Sequence, residues 1–381
     1  MEEVKISAGG KTYKIDIESG LFSKLPDILK KKYTGKKLAL VSDSNVFSLY
    51  GEKFYTELSQ AGLSVMPILF KAGEEQKNLQ TLNQIYAKLA EGEFTRSDSV
   101  IALGGGVTGD MAGLAAATFL RGMGFIQIPT TLLSMVDSSI GGKVAVDLPQ
   151  GKNLVGAFYQ PDTVYTDPKL LDTLTDRQFT DGMAELLKHG FIRDASLYKD
   201  LTEGVASSRF EGANVYSSEG LMPRPLLAGR LDGLIARSCI IKRDVVEEDE
   251  KDNGIRQLLN FGHTLGHAIE RVQNYTGLSH GEAISIGMVV MTRLTEKMGL
   301  TREGEAQKLV EALALYGLPV SMPSLDINDI LAAIRLDKKT RSGMITIAYI
   351  EKIGLGKLKE LEIKELEDRI HGILTDSFNT P

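Results

Sequence analysis

Hydrophobic and polar positions follow two different patterns along the chain, and the change comes near residue 176. Before it, short β-branched runs alternate with helical patterns. Residues 5–7 and 12–17 flank Gly9-Gly10 and predict an opening hairpin. Further strands are predicted at 38–41, 65–70, 99–103, 125–129 and 163–165, and the apolar spacing between 79 and 89 predicts a helix. Strands that alternate with helices indicate crossover connections and a mostly parallel sheet.

After residue 176 the pattern is mainly helical. Helices are predicted at 178–192, 226–249, 258–273 and 282–299, while 344–350 fits either a strand or part of a loop. Residues 204–225 are rich in Ser, Gly and Pro and predict a surface loop or insertion. The sequence therefore predicts an α/β domain over 1–175 and an all-α domain over 176–381.

Composition narrows the class of protein. A chain of 381 residues with 43% hydrophobic and 25% charged residues is long enough for two domains with a large core. No apolar run reaches the 18 residues of a membrane-spanning helix, and a net charge of −6 argues against a general nucleic-acid binder. The acidic N-terminus has no apolar stretch of a secretion signal, and one cysteine, Cys239, permits no disulfide within the chain. We expect a cytoplasmic protein.

A glycine-rich turn at 103–110 follows a predicted buried strand and precedes a helical run at 111–120. Glycines in that position let the backbone approach a pyrophosphate, while the helix N-terminus supplies amide donors. A tight strand-to-helix turn explains the glycines equally well, because their spacing departs from the usual dinucleotide fingerprint.

Three of the five histidines lie close together in the sequence. His263 and His267 are spaced i, i+4 on one helix face, which by spacing alone would make them partners at a metal or ligand. His280 starts the next helix, and Glu185 lies on an apolar helix that offers a carboxylate. Each of these side chains would also be unremarkable as an ordinary satisfied polar residue.

Several cations stand among glycines or apolar runs and suit an anionic ligand such as a phosphate or carboxylate. They are Lys143, Lys152, Lys242 and Arg256, accompanied by Asn153 and Asn260. Taken singly, each also fits a solvated surface charge.

Long motifs cover nearly the whole chain in order. They read GGGVTGDMAGLAAATFLRG from Gly104, IPTTLLSMVDSSIGGKVAVD from Ile128, GKNLVGAFYQP from Gly151, GMAELLKHG at 182–190, KRDVVEEDE at 242–250, RQLLNFGHTLGHAIE at 256–270 and SHGEAISIGM at 279–288. In these motifs the chain resembles the 3-dehydroquinate synthases, a family of sugar-phosphate cyclases. The resemblance implies a Rossmann-like NAD-binding domain followed by an all-α domain, the dehydroquinate synthase-like fold.

The resemblance also implies two cofactors, NAD and one divalent metal, zinc or cobalt. Its metal ligands would be Glu185, His263 and His280, with His267 facing the substrate instead. NAD would lie against Asp43, Asn45, Ala72, Gly73, Glu74, Glu75, Gln76, Lys77, Gly106, Val107, Thr108, Gly109, Asp110, Thr130, Thr131, Lys143, Lys152, Leu170, Leu171, Asp172 and Thr173.

The implied substrate is a sugar-phosphate acid with a carboxylate at one end and a phosphate at the other. Its contacts would be Asp137, Lys143, Asn153, Lys188, Lys242, Arg256, Asn260 and His267. Arg121 resembles an arginine that reaches the neighbouring subunit's site, which implies a homodimer, and Lys338 or Lys339 resembles a phosphate-binding lysine. We expect Lys242 and Arg256 near the carboxylate. Asn153, Asn260, His267 and the late lysine would lie near the phosphate.

The implied reaction converts 3-deoxy-D-arabino-heptulosonate 7-phosphate to 3-dehydroquinate and phosphate in the shikimate pathway. It combines transient oxidation by NAD, phosphate elimination, re-reduction and an intramolecular aldol closure. Three alternatives remain: a sister cyclase whose substrate lacks the carboxylate, a metal-dependent polyol dehydrogenase, and a catalytically inactive NAD-binding module. The presence of Lys242, Arg256 and Asn260 disfavours the first, the lysine-bearing motifs after Asp137 the second, and the three intact metal ligands the third.

Overall fold

The structure is a computed structural model that describes residues 1–210, 227, 229–336 and 343–378, with side chains for 1–203, 227, 229–336 and 343–375. The chain divides into two compact units. The first comprises Met1–Thr175 and Leu231–Glu250, and the second Asp176–Arg230 and Lys251–Pro381. The predicted boundary at 175 differs from this division at one helix, since the structure groups 231–250 with the first unit.

The first unit is built on a seven-stranded sheet. The strands of this unit, all but β7 and β8 of which belong to the sheet, are β1 (Glu2–Ala8), β2 (Lys11–Ile17), β3 (Lys37–Asp43), β4 (Ser64–Phe70), β5 (Ser99–Gly104), β6 (Gly124–Pro129), β7 (Lys143–Leu148), β8 (Gly151–Phe158) and β9 (Thr163–Thr166). The sheet order is β1-β2-β9-β6-β5-β3-β4, parallel throughout except for the β1–β2 hairpin. The strands predicted from the sequence are all present, and β7 and β8 form an additional antiparallel hairpin that was not predicted.

Helices cover this sheet. They are α1 (Leu25–Tyr33), α2 (Ser44–Val46), α3 (Glu52–Gln60), α4 (Leu79–Glu91), α5 (Gly106–Thr118) and, later in the chain, α8 (Leu231–Glu248). Fully buried side chains of β3, β5 and β6, among them Val41, Val100 and Phe125, pack with Leu82 of α4 and Met111 of α5. Because β3, β5 and β6 are parallel and adjacent, their carboxyl ends place residues 43, 104 and 130 at the same edge of the sheet.

The second unit is mainly helical. Its helices are α6 (Asp176–Arg193), α7 (Ala195–Phe210), α9 (His263–Val272), α10 (His280–Lys297), α11 (Glu305–Leu315), α12 (Ile327–Arg335) and α13 (Ile363–Phe378). The prediction of an all-α domain needs one correction, because β10 (Met344–Lys352) and β11 (Leu355–Glu362) form an antiparallel hairpin. Ile345, Ile347 and Ile350 of β10 are buried, so tertiary burial fixes a strand at a position that the sequence left open.

Two further predictions concern long segments. The loop predicted at 204–225 begins inside α7, which continues to residue 210, and 211–225 lie outside the described residues. Among the described helices, none combines the length and the apolar character needed to cross a bilayer.

Glycines bring α9 and α10 into close contact. A Cβ atom added at Gly287 of α10 would lie 2.0 Å from the carbonyl oxygen of Gly262 and 3.1 Å from the amide nitrogen of Gly266. Gly262 has φ +82°, a left-handed conformation that favours glycine, and it immediately precedes α9. These contacts fix the distance between the helices that begin with His263 and His280.

Candidate active site

Glu185, His263 and His280 meet in the second unit. Glu185 lies in the buried middle of α6, while His263 and His280 are the first residues of α9 and α10. The Nε2 atoms of His263 and His280 lie 3.4 and 3.5 Å from the same Oε1 atom of Glu185. All three ligand atoms are within 4.8 Å of one another.

Neighbouring oxygen atoms orient both imidazole rings. His263 Nδ1 lies 3.2 Å from the carbonyl oxygen of Phe261, and His280 Nδ1 lies 3.6 Å from Glu270 Oε1. Each ring therefore turns its Nε2 atom toward Glu185. Burial alone would lower the pKa of His280, but the carboxylates of Glu185 and Glu270 outweigh it and raise the pKa to about 10.

The geometry of this group fits one divalent cation. Tetrahedral zinc or cobalt with bonds of about 2.05 Å to nitrogen and oxygen has ligand atoms about 3.3 Å apart. The observed separations of 3.4 and 3.5 Å are close to that value. One carboxylate and two imidazoles leave a fourth position open, as in catalytic rather than structural sites.

Lys188 lies beside the same carboxylate. Its Nζ atom contacts Glu185 Oε2 and donates a hydrogen bond of 2.5 Å to the carbonyl oxygen of Leu259. Both side chains are almost fully buried, the lysine at 1% exposed. Because they are in contact away from water, the positive charge of Lys188 offsets the negative charge of Glu185.

Two further predicted substrate residues lie on the 3₁₀ helix Ile255–Asn260. Arg256 is buried. The Nδ2 atom of Asn260 is also buried, and it finds no hydrogen-bond partner in the described part of the chain. A buried amide donor without a partner carries a desolvation cost that a bound oxygen acceptor would remove.

In the first unit, the carboxyl ends of β3, β5 and β6 assemble a second group. Asp43 accepts hydrogen bonds from the amides of Asn45 and Val46, at 2.9 and 3.1 Å, and Thr108 Oγ1 donates to its other oxygen at 3.3 Å. The glycine-rich turn begins α5, whose N-cap residue Gly105 provides no side-chain hydrogen bond. The amides of the first turn are therefore available to an anion.

A Cβ atom at Gly105 or Gly106 would come within 3.2 Å of Thr131 or Ser138, respectively. Thr130 Oγ1 is buried and makes no hydrogen bond to any described residue. A close backbone surface with an unsatisfied hydroxyl beside it is what a dinucleotide needs at this edge of the sheet.

Lys77 connects the predicted cofactor and substrate residues of the first unit. Its Nζ atom lies 2.6 Å from Asp110 Oδ2 and 2.6 Å from Asn153 Oδ1. Lys152 pairs with Glu74 at 3.1 Å. Burial raises the pKa of Asp110 to about 6, although the Lys77 ammonium acts in the opposite direction. The β7–β8 hairpin thus contributes Asn153, which is exposed, to a polar network around the buried Lys77.

Asp137 and Lys242 form a further ion pair within the first unit. Lys242 Nζ lies 2.6 Å from Asp137 Oδ1 and also donates to the carbonyl oxygen of Asp137. Lys242 is buried and belongs to α8, so this ion pair links α8 to the rest of the first unit. The contact holds the ammonium group in a fixed position.

Comparison with known proteins identifies the family. Residues 67–181 match the family "3-dehydroquinate synthase N-terminal", and residues 182–340 match "3-dehydroquinate synthase C-terminal". The chain belongs to the 3-dehydroquinate synthase family. The predicted family and fold are thereby confirmed.

Curated relatives agree with the family assignment. A 3-dehydroquinate synthase of Clostridium kluyveri is 42% identical, over 96% of this chain and 97% of its own length. One of Clostridium acetobutylicum is 44% identical, over 96% of this chain and 98% of its own. Among solved structures, 2-epi-5-epi-valiolone synthase from Streptomyces hygroscopicus, with NAD+ and Zn2+ bound, has a TM-score of 0.83 at 26% identity. The similarity covers 97% of this chain and 99% of that one.

The structure does not support the pairing of His263 with His267 that spacing alone suggested. Their ring centroids lie 5.2 Å apart in an edge-to-face arrangement. Among the described residues, however, no set of side chains close enough to share a metal ion contains both histidines. His267 groups instead with Glu270 and His280. In this member of the 3-dehydroquinate synthase family, tertiary contacts bring together Glu185, His263 and His280, the side chains that the resemblance implied as metal ligands, and their role stays a prediction.

The remaining predicted site residues are placed as follows. Leu170, Leu171, Asp172 and Thr173 belong to the 3₁₀ helix Pro168–Thr173, which Tyr50 holds through hydrogen bonds to Leu170 and Thr173. Lys143 begins β7 and is exposed, Arg121 is exposed with φ +68°, and Ala72 donates to Ser44. Lys338 and Lys339 lie outside the described residues. The roles of these residues stay predictions.

Sequence reasoning missed three residues near the histidines. Glu270 faces the Nδ1 atom of His280, and Arg177 pairs with Glu282 in the first turn of α10. Two sequence signals were available. Ser279 and Glu282 have the spacing of a capping box, and Glu270 lies three residues after His267 on the same helix.

Proposed function

We propose that the chain is a 3-dehydroquinate synthase that converts 3-deoxy-D-arabino-heptulosonate 7-phosphate to 3-dehydroquinate and inorganic phosphate. The observation that carries this proposal is the near full-length similarity to the two clostridial synthases. Two features of the structure support it independently. One is the grouping of a carboxylate with two imidazoles, and the other is the N-terminus of α5, which has no side-chain cap.

The metal is proposed to be held by Glu185, His263 and His280. A divalent cation in that position supplies Lewis acidity toward the hydroxyl oxygens of the substrate. Lys188 keeps the charge of the buried glutamate balanced, and Phe261 and Glu270 keep the two rings oriented. Zinc and cobalt suit these donors equally, so we propose either metal.

NAD is proposed to bind the first unit. When bound, it accepts a hydride from the substrate and returns it within the same turnover, so no net oxidation occurs. Gly105 and Gly106 permit close approach of the pyrophosphate to the first amides of α5, and Asp43, Lys77 and Asp110 provide polar groups beside it. Thr130 offers its buried hydroxyl.

The substrate's two anionic groups need cationic partners. We propose that Lys242, held by Asp137, and Arg256 bind the carboxylate, while Asn153, Asn260 and His267 bind near the phosphate. A decisive test compares the binding of two inhibitors, one with both anionic groups and one with only the phosphate, to Arg256→Ala. Selective weakening of the inhibitor that bears the carboxylate is expected; equal weakening of both would contradict the assignment.

A phosphate-release assay tests the whole proposal. The metal-loaded protein is supplied with the heptulosonate phosphate and catalytic amounts of NAD, beside a chelated sample and Glu185→Gln. We expect release that requires both metal and NAD, without accumulation of NADH. Turnover of glucose 6-phosphate or sedoheptulose 7-phosphate instead would assign a sister cyclase, and accumulating NADH would assign a polyol dehydrogenase.

We also propose a cytoplasmic homodimer, on the resemblance of Arg121 to an arginine that serves the neighbouring subunit. Mixing Arg121→Ala with Glu185→Gln subunits tests this arrangement. Each variant is inactive alone under the proposal, whereas a mixed dimer has one intact site and recovers part of the activity. No recovery after subunit exchange would argue against a shared site.

A further inference from the structure

Arg177, in the first turn of α6, forms a two-pronged ion pair with Glu282. Its Nε and Nη2 atoms lie 2.9 and 2.6 Å from the two carboxylate oxygens of Glu282, and Nη2 also donates to the carbonyl oxygen of Gly277 at 2.9 Å. The arginine therefore binds both α10 and the loop that precedes it.

Glu282 is at the same time part of the N-terminal cap of α10. Ser279 is the N-cap residue, its amide donates to Glu282 Oε2 at 2.7 Å, and its hydroxyl accepts from the amide of Glu282. His280 is the first residue after this cap. Because Arg177 holds the carboxylate that closes the cap, it also fixes where His280 begins the helix.

One face of α6 thus organises the start of α10. Residues 177, 181 and 185 recur every four positions and lie on the same side of that helix. Arg177 binds Glu282, Asp181 Oδ1 accepts from the amide of Gly281 at 2.5 Å, and Glu185 faces His280. A Cβ at Gly281 would lie 2.4 Å from the carbonyl oxygen of Asp181, so the two helices meet backbone to backbone.

The connection from α9 to α10 contains strained backbone. Asn274 and Tyr275 have φ values of +49° and +58°, a conformation that side-chain-bearing residues adopt at a cost. The loop is closed by Leu278, whose amide donates to Gln273 Oε1 at 2.8 Å, and by the bond from Arg177 to Gly277. Such a conformation persists only where surrounding contacts hold it in place.

We propose that Arg177 is a positioning residue for divalent-metal binding: through Glu282 and Gly277 it holds His280 at the position where it can share a metal with Glu185 and His263. This inference rests on the proposed function, in which those three side chains bind the metal. The hydrogen bonds of Arg177 go to Glu282 and Gly277, so the arginine acts through them and not by contact with the donor atoms of the metal ligands.

The same unit contains a matched control. Arg335 of α12 forms an equivalent two-pronged pair with Glu367 of α13, with distances of 2.5 and 2.8 Å. The two arginine side chains are 60% and 62% exposed. Both substitutions therefore remove a pair between an exposed arginine and a largely buried glutamate, and only one of them lies beside a proposed metal ligand.

The experiment measures zinc and cobalt affinity by competition with a chromogenic chelator for wild type, Arg177→Gln, Arg177→Lys and Arg335→Gln. Amide hydrogen exchange of the metal-free proteins over 273–284 and thermal unfolding are recorded in parallel. We expect Arg177→Gln to weaken metal binding at least about tenfold and to accelerate exchange in that segment. Arg177→Lys should recover part of the affinity, and Arg335→Gln should remain within about twofold of wild type.

Three results would overturn the inference. These are equal loss of affinity in Arg177→Gln and Arg335→Gln, unchanged affinity in Arg177→Gln, and lower affinity without faster exchange over 273–284. Wild-type protein that binds neither metal would instead overturn the proposed function, and the inference with it. The first three results leave wild-type binding intact, so the two failures are distinguishable.

Discussion

Replacement of Gly287 by alanine should separate the two helices that carry the histidines of the metal group. A Cβ atom at this position would lie 2.0 Å from the carbonyl oxygen of Gly262, whereas real Cβ atoms essentially never approach within 3.0 Å. Both groups belong to helix backbones or their caps, so no flexible side chain can move aside. The helices must move apart by about 1 Å to restore ordinary contact.

That displacement is large for a metal site. Gly262 directly precedes His263, and the Nε2 atoms of His263 and His280 share one oxygen of Glu185 at 3.4 and 3.5 Å. Metal–ligand distances tolerate changes of about 0.2 Å. We therefore expect Gly287→Ala to weaken zinc binding at least about tenfold and to lower the free energy of unfolding by about 1–3 kcal/mol.

The assay combines chelator competition with urea denaturation, and Gly372→Ala is the matched control. Gly372 also lies in a helix of the second unit, but a Cβ there meets no atom within 4 Å. It should leave zinc affinity unchanged and raise stability by about 0.5–1 kcal/mol, because alanine is the better helix former. Wild-type zinc affinity in Gly287→Ala would refute the reasoning, even if stability fell.

Three further substitutions probe other contacts. Glu270→Gln removes the charge beside His280 Nδ1 and should weaken zinc binding by about tenfold in the same competition assay; unchanged affinity would deny Glu270 an orienting role. Lys77→Met leaves the largely buried Asp110 without its cation, so urea denaturation at pH 7 should show a loss of about 3 kcal/mol. A change smaller than about 1 kcal/mol would contradict a stabilising role for this pair. Asp98 accepts hydrogen bonds from the amides of Lys37 and Thr95, and these outweigh burial and lower its pKa from 3.8. The ionised carboxylate therefore contributes to the free energy of unfolding above pH 3.8, and this contribution is lost as the pH falls through the lower pKa of the folded state. Asp98→Asn should lower the free energy of unfolding by about 1–3 kcal/mol at pH 7 and by little at pH 2. An equal loss at both pH values would be inconsistent with this linkage.

The central strands of the sheet, β3, β5, β6 and β9, could be predicted because they are buried on both faces. Residues 99–104 are all buried, and such continuous apolar runs between helical patterns leave few other interpretations. The β7–β8 hairpin escaped prediction because β8 is largely exposed and contains glycine and lysine. Its apolar pattern is therefore weak, and the pairing with β7 depends on tertiary contacts.

The grouping of α8 with the first unit also could not be predicted from the sequence. Its apolar residues predict a helix, but nothing in their spacing says which sheet or bundle they cover. Hydrogen bonds from Ser7 of β1 to Glu247 and from Ser19, just after β2, to Asp232 tie this helix to the start of the chain, across more than two hundred residues. Long-range contacts of this kind leave no local signature.

The group formed by Glu185, His263 and His280 could not be identified from the spacing of residues within one helix. An i, i+4 pair reports only that two side chains lie on one face of one helix. His263 and His280 are instead the first residues of two helices that cross at glycines, and Glu185 reaches them from a third. Helix N-termini carry partial positive charge, which favours a buried carboxylate and disfavours a cation. A metal there requires negative charge nearby, and both Glu185 and Glu270 are buried beside the rings. The most informative feature of the sequence was therefore a glutamate among apolar residues of α6, because burial of that charge needs partners that only the tertiary fold supplies.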